Sequence, residues 1–147
     1  MTRQQRYPET DTFHFHNSNP RNRFTTDCVE RAITTAGLVP YGEVCETLAR
    51  EQAATGYAAS SPEGFGRYLE SMGWRKQKQP RKADGSKYTG KEFCRALQDH
   101  ENCPFPPSMN ARYVANIGGG HTVAIVNGQV WDTWDSTDGC IGNYWIK

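Results

Sequence analysis

Hydrophobic positions recur at helical spacing through most of the chain and alternate near its end. Val29, Ala32, Ile33 and Ala36 fall on one side of a helix. Thr25 and Thr26 are capping residues ahead of it, Asp27 suits a first turn and Gly37 stops the pattern, so a helix is predicted over about 26–36. Pro40 and Tyr41 open a second periodic stretch through Val44, Leu48 and Ala49 that ends in the small-residue run Ala53 to Ser61. Ser61-Pro62-Glu63 is a helix start, with Ser as cap and Pro at the first helical position, and Phe65, Leu69 and Met72 share a face up to Gly73. This predicts a third helix over 62–72. Thr89 caps a shorter one carrying Phe93 and Leu97 and closing near His100.

Two segments lack such a period. Residues 1–20 are polar with Pro8 and Pro20 and read as an irregular arm. The basic loop 74–88 holds five cations between positions 75 and 82 beside Pro80 and Asp84-Gly85, and reads as a solvated loop or hairpin. After the Pro-rich connector Cys103 to Pro107, the runs Ala111–Ile117, His121–Val126 and Gln129–Asp135 are short, β-branched and aromatic. Gly118-Gly119-Gly120 splits the first pair, and Asn127-Gly128, a strong hairpin signal, splits the second. Asn143 to Lys147 can add an edge strand. Helices first and an antiparallel sheet second make an α+β arrangement in a single domain over 1–147.

Composition narrows the function classes. A net charge of +1 argues against wholesale nucleic-acid binding. No run approaches the ~18 apolar residues of a membrane span, and the N-terminus lacks the apolar stretch of a signal peptide. Cys28, Cys45, Cys94, Cys103 and Cys140 are odd in number, without a Cys-x-x-Cys pair, which fits a reducing compartment. A cytoplasmic location is therefore expected.

Chemistry concentrates in three residues. Cys28 lies at a helix start, where unpaired N–H groups and the positive dipole end favour a thiolate. A two-residue turn at Asn127-Gly128 pairs 125 with 130, 123 with 132 and 121 with 134, placing His121, Asp132 and Trp134 on one face and Asp135 on the other. A carboxylate beside an imidazole fixes its tautomer and stabilises its cation. Each residue taken alone has an ordinary reading: a small buried Cys, a surface strand His, a solvated Asp. Cys94, His100 and Cys103 lack a fourth partner and depart from zinc spacings, so they read as helix and connector residues, and no metal is expected. His14 and His16 alternate with Phe13 and Phe15 and suit a strand edge.

Thr26-Asp27-Cys28-Val29, then Gly120-His121-Thr122-Val123-Ala124-Ile125-Val126, then Asp132-Thr133-Trp134 resemble the layout of the papain-like cysteine peptidase superfamily. The likeness is greatest to its compact bacterial and phage members, such as the bacteriocin-leader peptidases. It covers about 20–36 and 111–135; residues 40–105 match no known pattern. The resemblance implies a helical layer carrying the Cys helix, packed on a small C-terminal antiparallel sheet. It also implies Cys28 as nucleophile, His121 as general base and acid, and Asp132 as the residue that orients it. The family's oxyanion-hole Gln, six residues ahead of the Cys, corresponds to Asn22, a shorter amide with Asn19 and Asn17 as competitors. The backbone N–H of Cys28 would be the second donor. Gly119, Gly120 and Trp134 would border the substrate cleft. The implied activity is hydrolysis of a peptide or isopeptide bond in a peptide or protein substrate, through a thioester and without a cofactor. An acyltransferase and a non-enzymatic binding protein on the same scaffold are the alternatives.

Overall fold

A computed structural model describes residues 1–105 and 111–147, so Pro106 and Pro107 of the expected connector lie outside the described residues. The elements are α1 (Arg3–Arg6), β1 (Phe13–Phe15), α2 (Cys28–Gly37), α3 (Tyr41–Thr55), α4 (Pro62–Ser71), β2 (Arg75–Gln77), α5 (Gly90–Gln98), β3 (Tyr113–Ile117), β4 (His121–Val126), β5 (Gln129–Asp132) and β6 (Ile141–Ile146). The class is α+β. The strands form one six-stranded sheet in the order β1-β5-β4-β3-β6-β2.

The helices start where local chemistry directs. Ser61 Oγ accepts from the Gly64 N–H at 3.1 Å ahead of α4. Thr89 and Glu92 form a reciprocal capping box on α5. The start of α2 differs from expectation: it begins at Cys28, and the Asp27 side chain, at the N-cap position, makes no capping bond. Its carboxylate is drawn instead into a buried network described below. At the other end Gly37 is still helical, and Leu38 takes the left-handed conformation at φ 57°.

Three strands differ from the sequence reading. The arm contributes β1, which pairs parallel to β5 with Phe13 opposite Val130, so the sheet is mixed rather than purely antiparallel. Part of the basic loop forms β2 at the opposite edge, Arg75 opposite Ile146. A bridge between Arg81 and Lys87 closes the rest as a hairpin. The last strand starts at Ile141 and lies inside the sheet, between β3 and β2.

The sheet is covered on both faces. On one, Phe93, Cys94 and Leu97 of α5 pack with Phe13, Tyr113, Ile117, Val123, Ile125 and Val130. On the other, Val29, Ile33, Val44, Leu48, Phe65 and Leu69 of α2, α3 and α4 pack with Val114, Ala124 and Trp145. The expected single helical layer therefore has a counterpart, because a central strand buried on both sides needs apolar cover on both. Among the described residues, no helix is long and apolar enough to cross a membrane.

Candidate active site

The Asn127-Gly128 turn has φ of 53° and 70°, the two positive angles of a tight hairpin turn. It sets Ile125 opposite Val130 and Ala124 opposite Trp131, the expected register. The ladder ends there, so the expected pairs 123–132 and 121–134 are not formed, and β5 stops at Asp132 rather than 135. The separation matters. Strict alternation puts His121 and Asp132 with Val123, Ile125 and Val130, on the face packed against α5. Because they stand at strand termini beyond the last β4–β5 pair, their side chains also reach α2.

There they join Cys28. His121 Nε2 and Asp132 Oδ2 are 2.5 Å apart. The thiol of Cys28 lies close enough to the same imidazole for the ring to lower its pKa, and with Nε2 committed to Asp132 the nitrogen left for the thiol is Nδ1. The ring of Trp134 lies 4.9 Å from that of His121, centroid to centroid, and shields the imidazole–carboxylate bond. Burial alone would raise the pKa of Cys28, but the His121 bond, the Thr122 backbone N–H and the charges of His121 and Arg31 outweigh it and hold the thiol below its ordinary value. Burial likewise opposes the charge on His121, yet its bonds to Asp132 and Cys28 push the imidazole up to about 9. Both shifts favour a thiolate–imidazolium pair.

Asp132 is 1% exposed and its oxygens are fully engaged. Oδ1 accepts from Arg31 Nη1 and from the Thr133 N–H, each at 2.7 Å. Arg31, itself 7% exposed, also donates through Nε to Asp27 Oδ1 at 2.8 Å. Asp27 Oδ2 accepts from Asn19 Nδ2 at 2.9 Å and from the Tyr41 hydroxyl at 2.8 Å. The result is a buried line of alternating charge, Asp27, Arg31, Asp132, His121, Cys28, in which every charged group faces an opposite one. Arg31 is not among the residues the sequence singles out for the site. Its signal was the spacing: Asp27 and Arg31 are four apart, Cys28 and Arg31 three apart, so one helical face carries them.

The three candidate amides separate by what their N–H groups already do. Asn19 gives its amide nitrogen to Asp27 and, at 3.3 Å, to Tyr41. Asn17 gives its own to the Arg23 carbonyl at 3.0 Å and to Asn22 Oδ1 at 3.4 Å. Asn22 is exposed, at φ 55°, with its backbone N–H on the Asn19 carbonyl. Its side chain accepts from Asn17, and its Nδ2 has no acceptor among the described residues. No hydrogen bond joins Asn22 to Cys28 here. Gly119 and Gly120 are exposed in the turn ahead of His121, where an added Cβ would meet nothing within 4 Å.

Asp135 is turned away, accepting from the Thr137 N–H at 3.0 Å. Cys94 is buried under α5, its thiol pushed up to about 12 by burial, and Cys103 donates to the Phe105 carbonyl. Among the described residues, no three His, Cys, Asp or Glu are grouped to hold a metal ion. Comparison of the chain with protein-family models, with curated proteins and with solved structures finds no match.

Proposed function

We propose that this chain is a thiol-dependent hydrolase of the papain-like type that opens a peptide or isopeptide bond. One observation carries the reading: the His121 ring is hydrogen-bonded to buried Asp132 and stands beside the Cys28 thiol, whose pKa it lowers. In the first step the Cys28 sulfur attacks the amide carbonyl carbon. The oxyanion is held by the Cys28 backbone N–H and the free amide of Asn22. As the C–N bond breaks, the His121 imidazolium gives its proton to the leaving amine, leaving a thioester. His121 then takes a proton from water, whose oxygen attacks the thioester and releases the acid and the thiol. An amine in place of water makes the same site an acyltransferase. The packing of a Cys-bearing helix against a sheet bearing His and Asp supports the papain-like architecture.

Competitive alkylation tests the reading without a substrate. Cys140 is the exposed thiol and Cys28 a half-buried one. If access governs, iodoacetamide at pH 6 takes Cys140 first. If the thiolate–imidazolium pair governs, Cys28 reacts about tenfold faster or more. Uniform slow labelling of the accessible thiols would overturn the proposal and favour a non-catalytic binding protein.

A further inference from the structure

Ahead of Cys28 the chain walls a groove of about 830 Å³, lined by Asn19, Arg21, Asn22, Phe24, Tyr41 and their neighbours up to Thr25. The groove's wall runs up to Thr25, three residues before Cys28. Asn19 and Tyr41 hold Asp27, the residue before the nucleophile, and Asn22 carries the free amide proposed for the oxyanion. A chain whose carbonyl sits between Cys28 and Asn22 would meet the groove at Asn22, which lines it.

The wall is basic and pre-shaped. Asn19 Oδ1 accepts from the Arg21 N–H at 2.9 Å, and Asn17 Nδ2 binds the Arg23 carbonyl, so the 19–23 turn is pinned from inside while Arg21 and Arg23 point their charge outward. A third guanidinium comes from the arm. Arg3 Nε donates to the Thr133 carbonyl at 2.7 Å, one residue from Trp134, and its guanidinium lies 5.0 Å from the centre of the Phe24 ring. Phe24 is held there 51% exposed. Among the described residues, none of Arg3, Arg21 and Arg23 forms an ion pair, so their guanidinium charges stay available to a ligand. Of the carboxylates nearby in sequence, Glu9 is spent on His14 and Gln129, Asp11 on Arg95 and Asp27 on Arg31, and Glu30 is not among the residues lining the groove. Glu43, one residue past Gly42, is not among the residues lining the groove.

We propose that this groove receives an acidic peptide, its carboxylates taken by Arg3, Arg21 and Arg23 and its backbone laid over Phe24 toward Cys28. The inference rests on the amide-hydrolase reading and names its substrate class. Arginine forks suit carboxylates, and three cations around one groove in a chain of net charge +1 make a local attraction rather than the broad basic surface of a nucleic-acid binder.

The test is fluorescence anisotropy on the full chain carrying Cys28→Ala, which removes turnover. The probes are a labelled Glu-rich peptide, its Gln-for-Glu counterpart and a single-stranded DNA of equal charge. The Glu peptide should bind about tenfold tighter than the Gln peptide at low salt, with the margin shrinking as salt rises. Arg21→Gln with Arg23→Gln should abolish most of that margin. The same pair of changes with Cys28 intact should leave its iodoacetamide rate unchanged. Equal binding of the two peptides, a margin that survives the double substitution, or DNA binding tighter than the Glu peptide would each overturn the proposal. The alkylation rate at Cys28 is read without the groove, so failure here and failure of the hydrolase reading are separate results.

Discussion

A catalytic Cys–His pair works between two titrations, and both have structural causes here. On the acid side the thiolate is lost when pH falls through a Cys28 value held below the ordinary thiol. On the alkaline side the imidazolium is lost as pH rises through about 9, where Asp132 and Cys28 have pushed His121. Alkylation of Cys28 should therefore rise below the free-thiol value of about 8.5 and change slope near 9; a single limb at about 8.5 would exclude the pair. Asp132→Ala should return Cys28 toward an ordinary thiol rate at pH 6, while Asp135→Ala, which removes only an acceptor for Thr137, should leave it unchanged. The reverse ranking would mean that the imidazole is oriented by another group. Arg31 tests the support of the same site. Arg31→Met leaves Asp27 buried and facing no cation and Asp132 with the His121 imidazolium alone, which should lower stability by about 3–5 kcal/mol in urea unfolding. A loss below about 1 kcal/mol would mean that water or rearrangement replaces it.

At the scale of elements, α2 combines a site and a strained exit. Its first turn presents Cys28 and Arg31 to the sheet, and its last passes into Leu38 at φ 57°, a conformation that costs a side-chain-bearing residue about 1 kcal/mol. Leu38 is 72% exposed, so Leu38→Gly removes little packing. It should raise stability by roughly 0.5–1 kcal/mol, read as a higher urea midpoint at constant slope. A fall would show that the exposed side chain contributes more than its conformation costs. The β4–β5 hairpin meets α5 through Gln98, whose amide donates to the Gly128 carbonyl at 2.8 Å and to the Asp11 carbonyl at 2.7 Å. One side chain thus ties the helix to the hairpin that orients the site and to the chain entering β1.

At the scale of the molecule, the sheet is closed at one edge by the arm. Phe13 is completely buried between the arm, α5 and β5, although its strand is three residues long and pairs with residues more than a hundred positions away. Such a strand has little stability of its own, and the buried ring supplies it. Phe13→Ala should cost about 3–5 kcal/mol in urea unfolding. A cost near zero would mean that β1 is not an integral part of the sheet. Because Asp132 ends β5 and pairs with Phe15, loosening β1 should also slow Cys28 alkylation, linking the edge strand to the site.

The helix starts at Ser61 and Thr89 and the hairpin with its 125–130 register were legible because each rests on local chemistry, whereas the grouping of Cys28 with His121 and Asp132 was implied by the family resemblance. Ser61 and Thr89 offer oxygens to the N–H groups that follow them, and Asn127-Gly128 accepts two positive φ angles and so sets which residues share a face. Partners distant in sequence leave no such mark. Three-residue β1 and β2 carry too few positions to show a period and exist because β5 and β6 offer open edges. Ile141–Ile146 became an interior strand only once β2 covered it. Alternation predicted that His121 and Asp132 would be neighbours, but only the end of the β4–β5 ladder brings them to α2. Arg31 looked like an ordinary helix cation, and became the centre of a buried charge network because folding sets two carboxylates, 105 positions apart in the chain, on either side of it.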